Sequence, residues 1–212
     1  MGQYYRPIVL KPNWKQEEQP ILGALSPYDF DNGAKLMEHS YVHNKLVEKA
    51  CMMIDLLGNH KAVPFVWCGD YADPASTDIY PARQSEDDPN EIEGGYQPYN
   101  RSCDFIGEDR EAEPYKELKE KLEYSDTKTF RYIINETKKQ FVKVPDFDND
   151  KWVFHPLPLL CAAGNGRGGG DYSEGKNEKL IGSWAYDEIR VTNTKADTEG
   201  YEDCGWVVEW ED

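Results

Sequence analysis

Residues 129–144 read TFRYIINETKKQFVKV. Two runs rich in β-branched and aromatic side chains, 129–134 and 140–144, flank the polar stretch 135–139. That is the pattern of an antiparallel hairpin. Antiparallel strands close over a short loop, whereas parallel strands need a long crossover. The sheet to which this pair belongs is therefore expected to be mainly antiparallel.

Working upstream, Leu36, His43, Val47, Ala50, Ile54 and Leu57 recur at spacings of three, four and seven. This predicts one long helix over about 34–57, ended by Gly58-Asn59. The apolar run 62–67 reads as a buried strand, and residues 3–10 (QYYRPIVL) as a first strand placed at a sheet edge by Pro7. The polar stretch 11–25 reads as a loop or a ragged hairpin. A short second helix is expected over about 113–124, where Glu117 and Lys121 stand at the favourable i, i+4 spacing. Residues 74–114 are rich in proline and glycine and read as a loop-rich insertion, with short strands near Ile79-Tyr80 and 103–106. Downstream, 152–154 and 157–162 read as one strand broken at His155-Pro156, and 189–192 and 206–210 as the last strands. The expected fold class is α+β: a mainly antiparallel sheet, one long helix, one short helix and long loops, in a single domain over 1–212.

The chain carries 40 acidic and 24 basic residues, a formal net charge of -16. At 13% aromatic residues it is too rich in core formers for a disordered chain. The acidity is uneven. Residues 86–126 hold 14 acidic and 5 basic side chains, and residues 196–212 hold 7 acidic and none basic. Such surfaces repel nucleic acid, so direct nucleic-acid binding is not expected. No apolar stretch approaches the ~20 residues of a membrane span. No membrane association is expected, and the expected location is the cytoplasm. The five cysteines include no C-x-x-C pair and read as reduced thiols.

The most unusual feature is the loop Gly164-Asn165-Gly166-Arg167-Gly168-Gly169-Gly170-Asp171. Its glycines permit positive φ, and consecutive N–H groups of such a loop can form an anion-binding nest. Arg167 adds a fork that matches phosphate or carboxylate. The letters of a dinucleotide fingerprint are present, but the polar stretch after Asp171 shows no helix pattern, so that reading fails on context. Without Gly-Lys-Ser/Thr there is no P-loop. A calcium loop starting at Asp146 is opposed by Lys151 and Leu157 at its sixth and twelfth positions. His39 and His43 lack the zincin glutamate between them, and a packed histidine is the simpler account of His43. No metal, cofactor or catalytic residue is expected, and the chain reads more readily as a binding protein than as an enzyme.

Four blocks, 1–5 (MGQYY), 26–38, 164–171 and 182–189 (GSWAYDEI), resemble an uncharacterised family of bacterial and phage proteins. The resemblance implies a microbial or phage origin and a role for the Gly-Arg loop. It carries over no activity and no functional residue.

Three functional readings result. The first is an acidic interaction protein that binds and inhibits a basic protein partner, as a counter-defence factor of anti-CRISPR type or an immunity protein does. Glu86, Asp87, Asp88, Glu108, Asp109, Glu111, Glu202 and Asp203 would form its contact surface. The second is a binder or enzyme for a nucleotide or another phosphorylated small molecule, cradled by residues 164–171. The third is a structural protein without a ligand.

Overall fold

The computed structural model describes residues 3–17, 19–72, 83–84, 92–93, 98–124, 128–146, 152–164, 171–172 and 175–211. Their fold is α+β on a mainly antiparallel sheet. β1 (Tyr5–Leu10) and β2 (Ile21–Ala24) form a hairpin. α1 (Leu36–His39), α2 (Lys45–Gly58) and β3 (Val63–Gly69) follow, and β3 is buried along its whole length. A small ribbon, β4 (Arg83–Gln84) with β5 (Ile92–Glu93), precedes α3 (Pro98–Ile106) and α4 (Glu113–Glu123). β6 (Tyr132–Asn135) and β7 (Gln140–Lys143) are the expected hairpin, in the register Ile133↔Val142. The rest is β8 (Trp152–Val153), α5 (Pro156–Leu160), β9 (Ala162–Ala163), β10 (Glu188–Thr192), β11 (Glu202–Asp203) and β12 (Trp210–Glu211).

The sheet runs β11-β7-β6-β10-β3-β1-β2, with β9 as an eighth strand beside β3. One edge of β3 is shared. Val63 and Pro64 pair with antiparallel β10, whereas Trp67 and Cys68 pair with parallel β9. Between them the incoming chain is held by Phe65 N–H to Asp187 O (3.1 Å) and Tyr186 N–H to Phe65 O (2.8 Å). β3 therefore changes neighbours halfway along.

β1 is an interior strand, paired with both β2 and β3, rather than an edge. Pro7 is tolerated because the β2 ladder begins one residue later, at Ile8↔Ala24. There the Pro7 carbonyl accepts from Leu25 N–H (3.2 Å), and no Pro7 N–H is required.

The expected single helix is two. Ser40 O accepts from His155 N–H (3.0 Å), Val42 N–H donates to Val153 O (2.9 Å), and Tyr41 bridges to Phe154. This β-like pairing pulls residues 40–42 out of helical geometry, and His43 turns the chain at φ 64°. Asn44 then restarts the helix as its cap, its Oδ1 accepting from Leu46 N–H (2.9 Å). α2 buries Leu46, Val47, Ala50, Cys51, Met53 and Ile54 at helical spacing. It packs on β10, β1, β3 and β2, and Asn59 ends it at φ 48°.

Two apolar stretches expected as strands are helices. Residues 103–106 belong to α3, which begins with Pro98 and buries Ser102 and Ile106 one turn apart. Residues 156–160 form α5. Its cap is His155, whose Nδ1 accepts from Leu157 N–H (3.2 Å), with Pro156 at the first helical position. A short buried apolar run fits either period, and here the cap and the proline decide it. At the C-terminus, 206–209 runs extended outside the ladders and only Trp210–Glu211 is a strand. Of the expected insertion, Ile79-Tyr80 lies outside the described residues. Among the described residues no helix is long and apolar enough to cross a membrane.

Candidate functional site

The topology sets the head of β1 beside the carboxyl ends of β3 and β9. Tyr5 pairs with Gly69, and Cys68 pairs with Ala163. The glycine-rich loop leaves the sheet directly after β9, at Gly164.

Gln3 is fully buried and lies across this end. Gly69 lets the Gln3 side chain lie close over the strand end, where a Cβ would displace its amide. Gly164 is constrained likewise: its Cβ would collide with the Tyr5 hydroxyl and stand 2.8 Å from Gln3 Oε1. The Tyr5 hydroxyl donates to Gln3 Oε1 at 3.0 Å. Burial raises the Tyr5 phenol, and the charge of Asp171 raises it further. The phenol thus stays protonated between Gln3 and Asp171. Both ends of the loop 164–171 therefore stand against one tyrosine. Asp70, just past β3, also acts on Tyr5; its Oδ1 accepts from Tyr4 N–H at 2.9 Å.

The opposite face of the same strand end carries Arg6, paired with Cys68 and covered by α3. Its Nη1 donates to Ser102 Oγ (3.1 Å) and Cys103 Sγ (3.5 Å), and its Nη2 to Tyr99 Oη (2.9 Å). Burial pushes the Cys68 thiol up to about 12, so it is not a nucleophile at neutral pH.

No family model, no curated protein and no solved structure matches the chain. The reading of the site therefore rests on its own geometry.

That geometry joins the sequence blocks singled out above. Tyr5 N–H donates to Ala34 O (2.6 Å), which links the first block to the second. Gln3 and Tyr5 meet Gly164 and Asp171 of the third. The fourth docks beside the approach to the loop: Gly182 N–H donates to Leu159 O (2.9 Å) and Trp184 N–H to Leu160 O (2.8 Å). Gly182, at φ 72°, lies against Ala162 O, where a Cβ would stand at 2.6 Å. Of the expected anion-binding residues, Gly164 and Asp171 stand at the sheet end; Asn165, Gly166, Arg167, Gly168, Gly169 and Gly170 lie outside the described residues.

The acidic candidates do not form one surface. Glu86, Asp87 and Asp88 lie outside the described residues. Glu108, Asp109 and Glu111 are exposed on the turn between α3 and α4, the helices that pack on β2, and Glu111 pairs with Lys116 at 2.6 Å. Glu202 and Asp203 are exposed on β11, at the other end of the sheet. Six strand spacings separate β11 from β2, roughly 30 Å.

His39 and His43 do not converge. His39 is buried with both ring nitrogens engaged, Nδ1 at Gly33 O (3.1 Å) and Nε2 at Trp67 Nε1 (2.8 Å). His43 lies off the helix and pairs with Glu48 at 3.2 Å. Among the described residues no three His, Cys, Asp or Glu side chains are grouped to hold a metal ion.

Sequence reasoning missed Gln3, Tyr5, Arg6, Tyr99 and Ser102. The available signal was a polar and aromatic head on an otherwise apolar strand, Gln3-Tyr4-Tyr5-Arg6, and a Gly69-Asp70 step ending another. Pairing those two ends requires the topology.

Proposed function

We propose that the chain binds a phosphorylated, hydroxyl-bearing small molecule, such as a nucleotide or sugar phosphate, at this sheet end. One observation carries the reading: Gly164 and Asp171, the two ends of the Gly-rich loop, both stand against the buried Tyr5. A stretch of this composition can turn consecutive backbone N–H groups toward phosphate oxygens. Arg167 would supply a bidentate partner. Asp70 and Asp171 disfavour a bare anion nearby, but as acceptors they suit ligand hydroxyls. The expected ligand therefore carries both groups.

The test is a thermal-shift series with nucleoside triphosphates, sugar phosphates and unphosphorylated sugars. Phosphorylated ligands should raise Tm, and Arg167→Ala should remove the shift while leaving the ligand-free Tm unchanged. A flat response across the series would overturn the reading.

A second reading, interaction with a basic protein partner, is favoured at β11 alone. In the acidic segment Asp197 is engaged by Arg190 (3.6 Å) and Glu209 by Lys176 N–H (2.8 Å), whereas Glu199, Glu202 and Asp203 are exposed. Exposed carboxylates on the last strand of a sheet suit a lysine- or arginine-rich segment. Binding of oligolysine should weaken steeply with salt and be lost in Glu202→Gln/Asp203→Asn. Binding unaffected by those changes would exclude β11 as the contact.

A further inference from the structure

Arg6 is treated differently from its counterparts. Arg101, Arg110 and Arg190 each have a carboxylate within hydrogen-bond or ion-pair reach, at Asp104 (3.9 Å), Asp29 (2.9 Å) and Glu136 (2.7 Å). Arg131 is exposed to water. Arg6 is half-buried, and among the described residues every acceptor on it is neutral: Ser102 Oγ, Cys103 Sγ and Tyr99 Oη. The Tyr99 ring lies 4.0 Å from its guanidinium carbon, and its Nε is buried with no acceptor. No carboxylate of a described residue stands within 4.0 Å of it. The nearby Asp70 spends Oδ1 on Tyr4 N–H.

Half-burying a guanidinium with no carboxylate of a described residue in contact is costly, and neutral acceptors repay only part of that cost. This happens in a chain with 40 acidic residues against 24 basic ones, where an internal carboxylate partner was abundantly available. The arrangement makes sense if the counter-charge comes from outside the chain. Ser102 and Tyr99 hold the guanidinium fork in place. The ring of Tyr99 stacks on one face, leaving the second N–H of Nη2 and the outer edge of the fork to a planar or tetrahedral oxyanion.

We propose that Arg6, positioned by Tyr99 and Ser102, is a binding site for a ligand oxyanion, a phosphate or a carboxylate. It lies on the α3 face, opposite the Tyr5 side that roots the glycine loop, and does not rest on the loop reading.

The experiment follows the Arg6 Nε–H signal in 15N-labelled full-length protein, assigned by its loss in Arg6→Lys. Inorganic phosphate, phenyl phosphate and acetate are titrated at constant ionic strength against chloride. A saturable shift with the phosphates alone identifies a phosphate site; a shift with acetate as well identifies a general oxyanion site. Arg6→Gln should weaken the accompanying Tm rise by roughly tenfold or more in concentration, the worth of one charge-assisted pair. Arg6→Lys should retain part of it, since it keeps the charge but not the fork. Arg167→Ala should leave the Arg6 shift unchanged, which separates this site from the loop. A signal that no oxyanion moves, or that chloride moves equally, overturns the proposal. So does an Arg6→Gln protein with an undiminished phosphate response. The titration of the unsubstituted protein decides the matter even if Arg6→Gln does not fold.

Discussion

Trp67 donates its indole N–H to Nε2 of His39 at 2.8 Å, in the middle of the core. The Nδ1–H of the same ring is then directed at Gly33 O, 3.1 Å away. A neutral ring satisfies both contacts; an imidazolium would turn two donors toward each other at Trp67. Burial lowers His39 from 6.5 to about 4, against a small opposing pull from Gly33 and Glu38. His155 is lowered to about 3, by burial and then by the charge of His43. Between these values and 6.5 the unfolded chain binds more protons than the folded one, so stability falls as pH falls. The contribution is complete above 6.5 and exhausted near 4 for His39 and near 3 for His155. For His39 the shift corresponds to a contribution on the order of 3 kcal/mol. Urea melts from neutral pH down to about pH 4 should show this slope. His39→Gln, whose amide can serve both partners, should flatten it. An unchanged slope would place the acid sensitivity elsewhere.

The cap at Asn44 supports a second prediction. It accepts from Leu46 N–H and donates through Nδ2 to Asn32 Oδ1 at 2.6 Å, fixing where α2 starts after the β-like interruption. Asn44→Ala should cost about 1 kcal/mol, and Asn44→Asp should restore the cap but not the contact to Asn32. Chemical denaturation of the two variants separates the terms. Equal losses in both would show that the Asn32 contact dominates.

The hairpin at 132–143, the buried strand β3 and the apolar face of α2 were legible because their periodicity is local. The interruption at residues 40–44 was not, since helical spacing continues through His43 and the competing partners, Val153 and His155, lie over 100 positions away. Pro7 pointed to an edge for the same reason: a missing N–H is visible in sequence, but where the β2 ladder begins is not. At the sheet end, the glycine loop stood out by composition. Tyr5 as its anchor did not, because the contact depends on β9 lying parallel to β3. The acidic candidates were chosen by charge along the chain, and charge along the chain does not report that β11 and β2 end opposite sides of the sheet.

Glu136 joins the β6–β7 hairpin to β10 and the C-terminal region. Arg190 Nε stands at 2.7 Å, Lys139 Nζ at 2.9 Å and Tyr201 Oη at 2.7 Å. Burial would raise its carboxyl, but the hydrogen bonds from Arg190, Lys139 and Tyr201 outweigh it and hold the group at about 2. Its folded value lies below the unfolded one, so its contribution is present above 4.5 and lost as pH falls toward 2. Glu136→Gln should cost about 2 kcal/mol at neutral pH, the scale of hydrogen bonds to a charged group. The gap between variant and parent should close over that acid window. A gap that persists below it would mean that the substitution acts through packing.

The cysteines give the last prediction. Burial pushes Cys51 and Cys68 up to about 12 and raises Cys161 as well, so none of the three offers a thiolate near neutral pH. Cys204, half-buried, is pushed up to about 11. Cys103 is exposed on α3, with Arg6 Nη1 3.5 Å from its sulfur. Iodoacetamide at about pH 8 should therefore modify Cys103 first in the folded protein, Cys204 more slowly, and Cys51, Cys68 and Cys161 only after denaturation. Peptide mass spectrometry against time reads the order. The adduct on Cys103 removes one neutral acceptor from Arg6 without touching the core. The alkylated protein should keep its fold and show a displaced Arg6 Nε–H signal. Rapid labelling of Cys68 in the native protein would contradict the packing of α3 over β1 and β3 on which the Arg6 site depends.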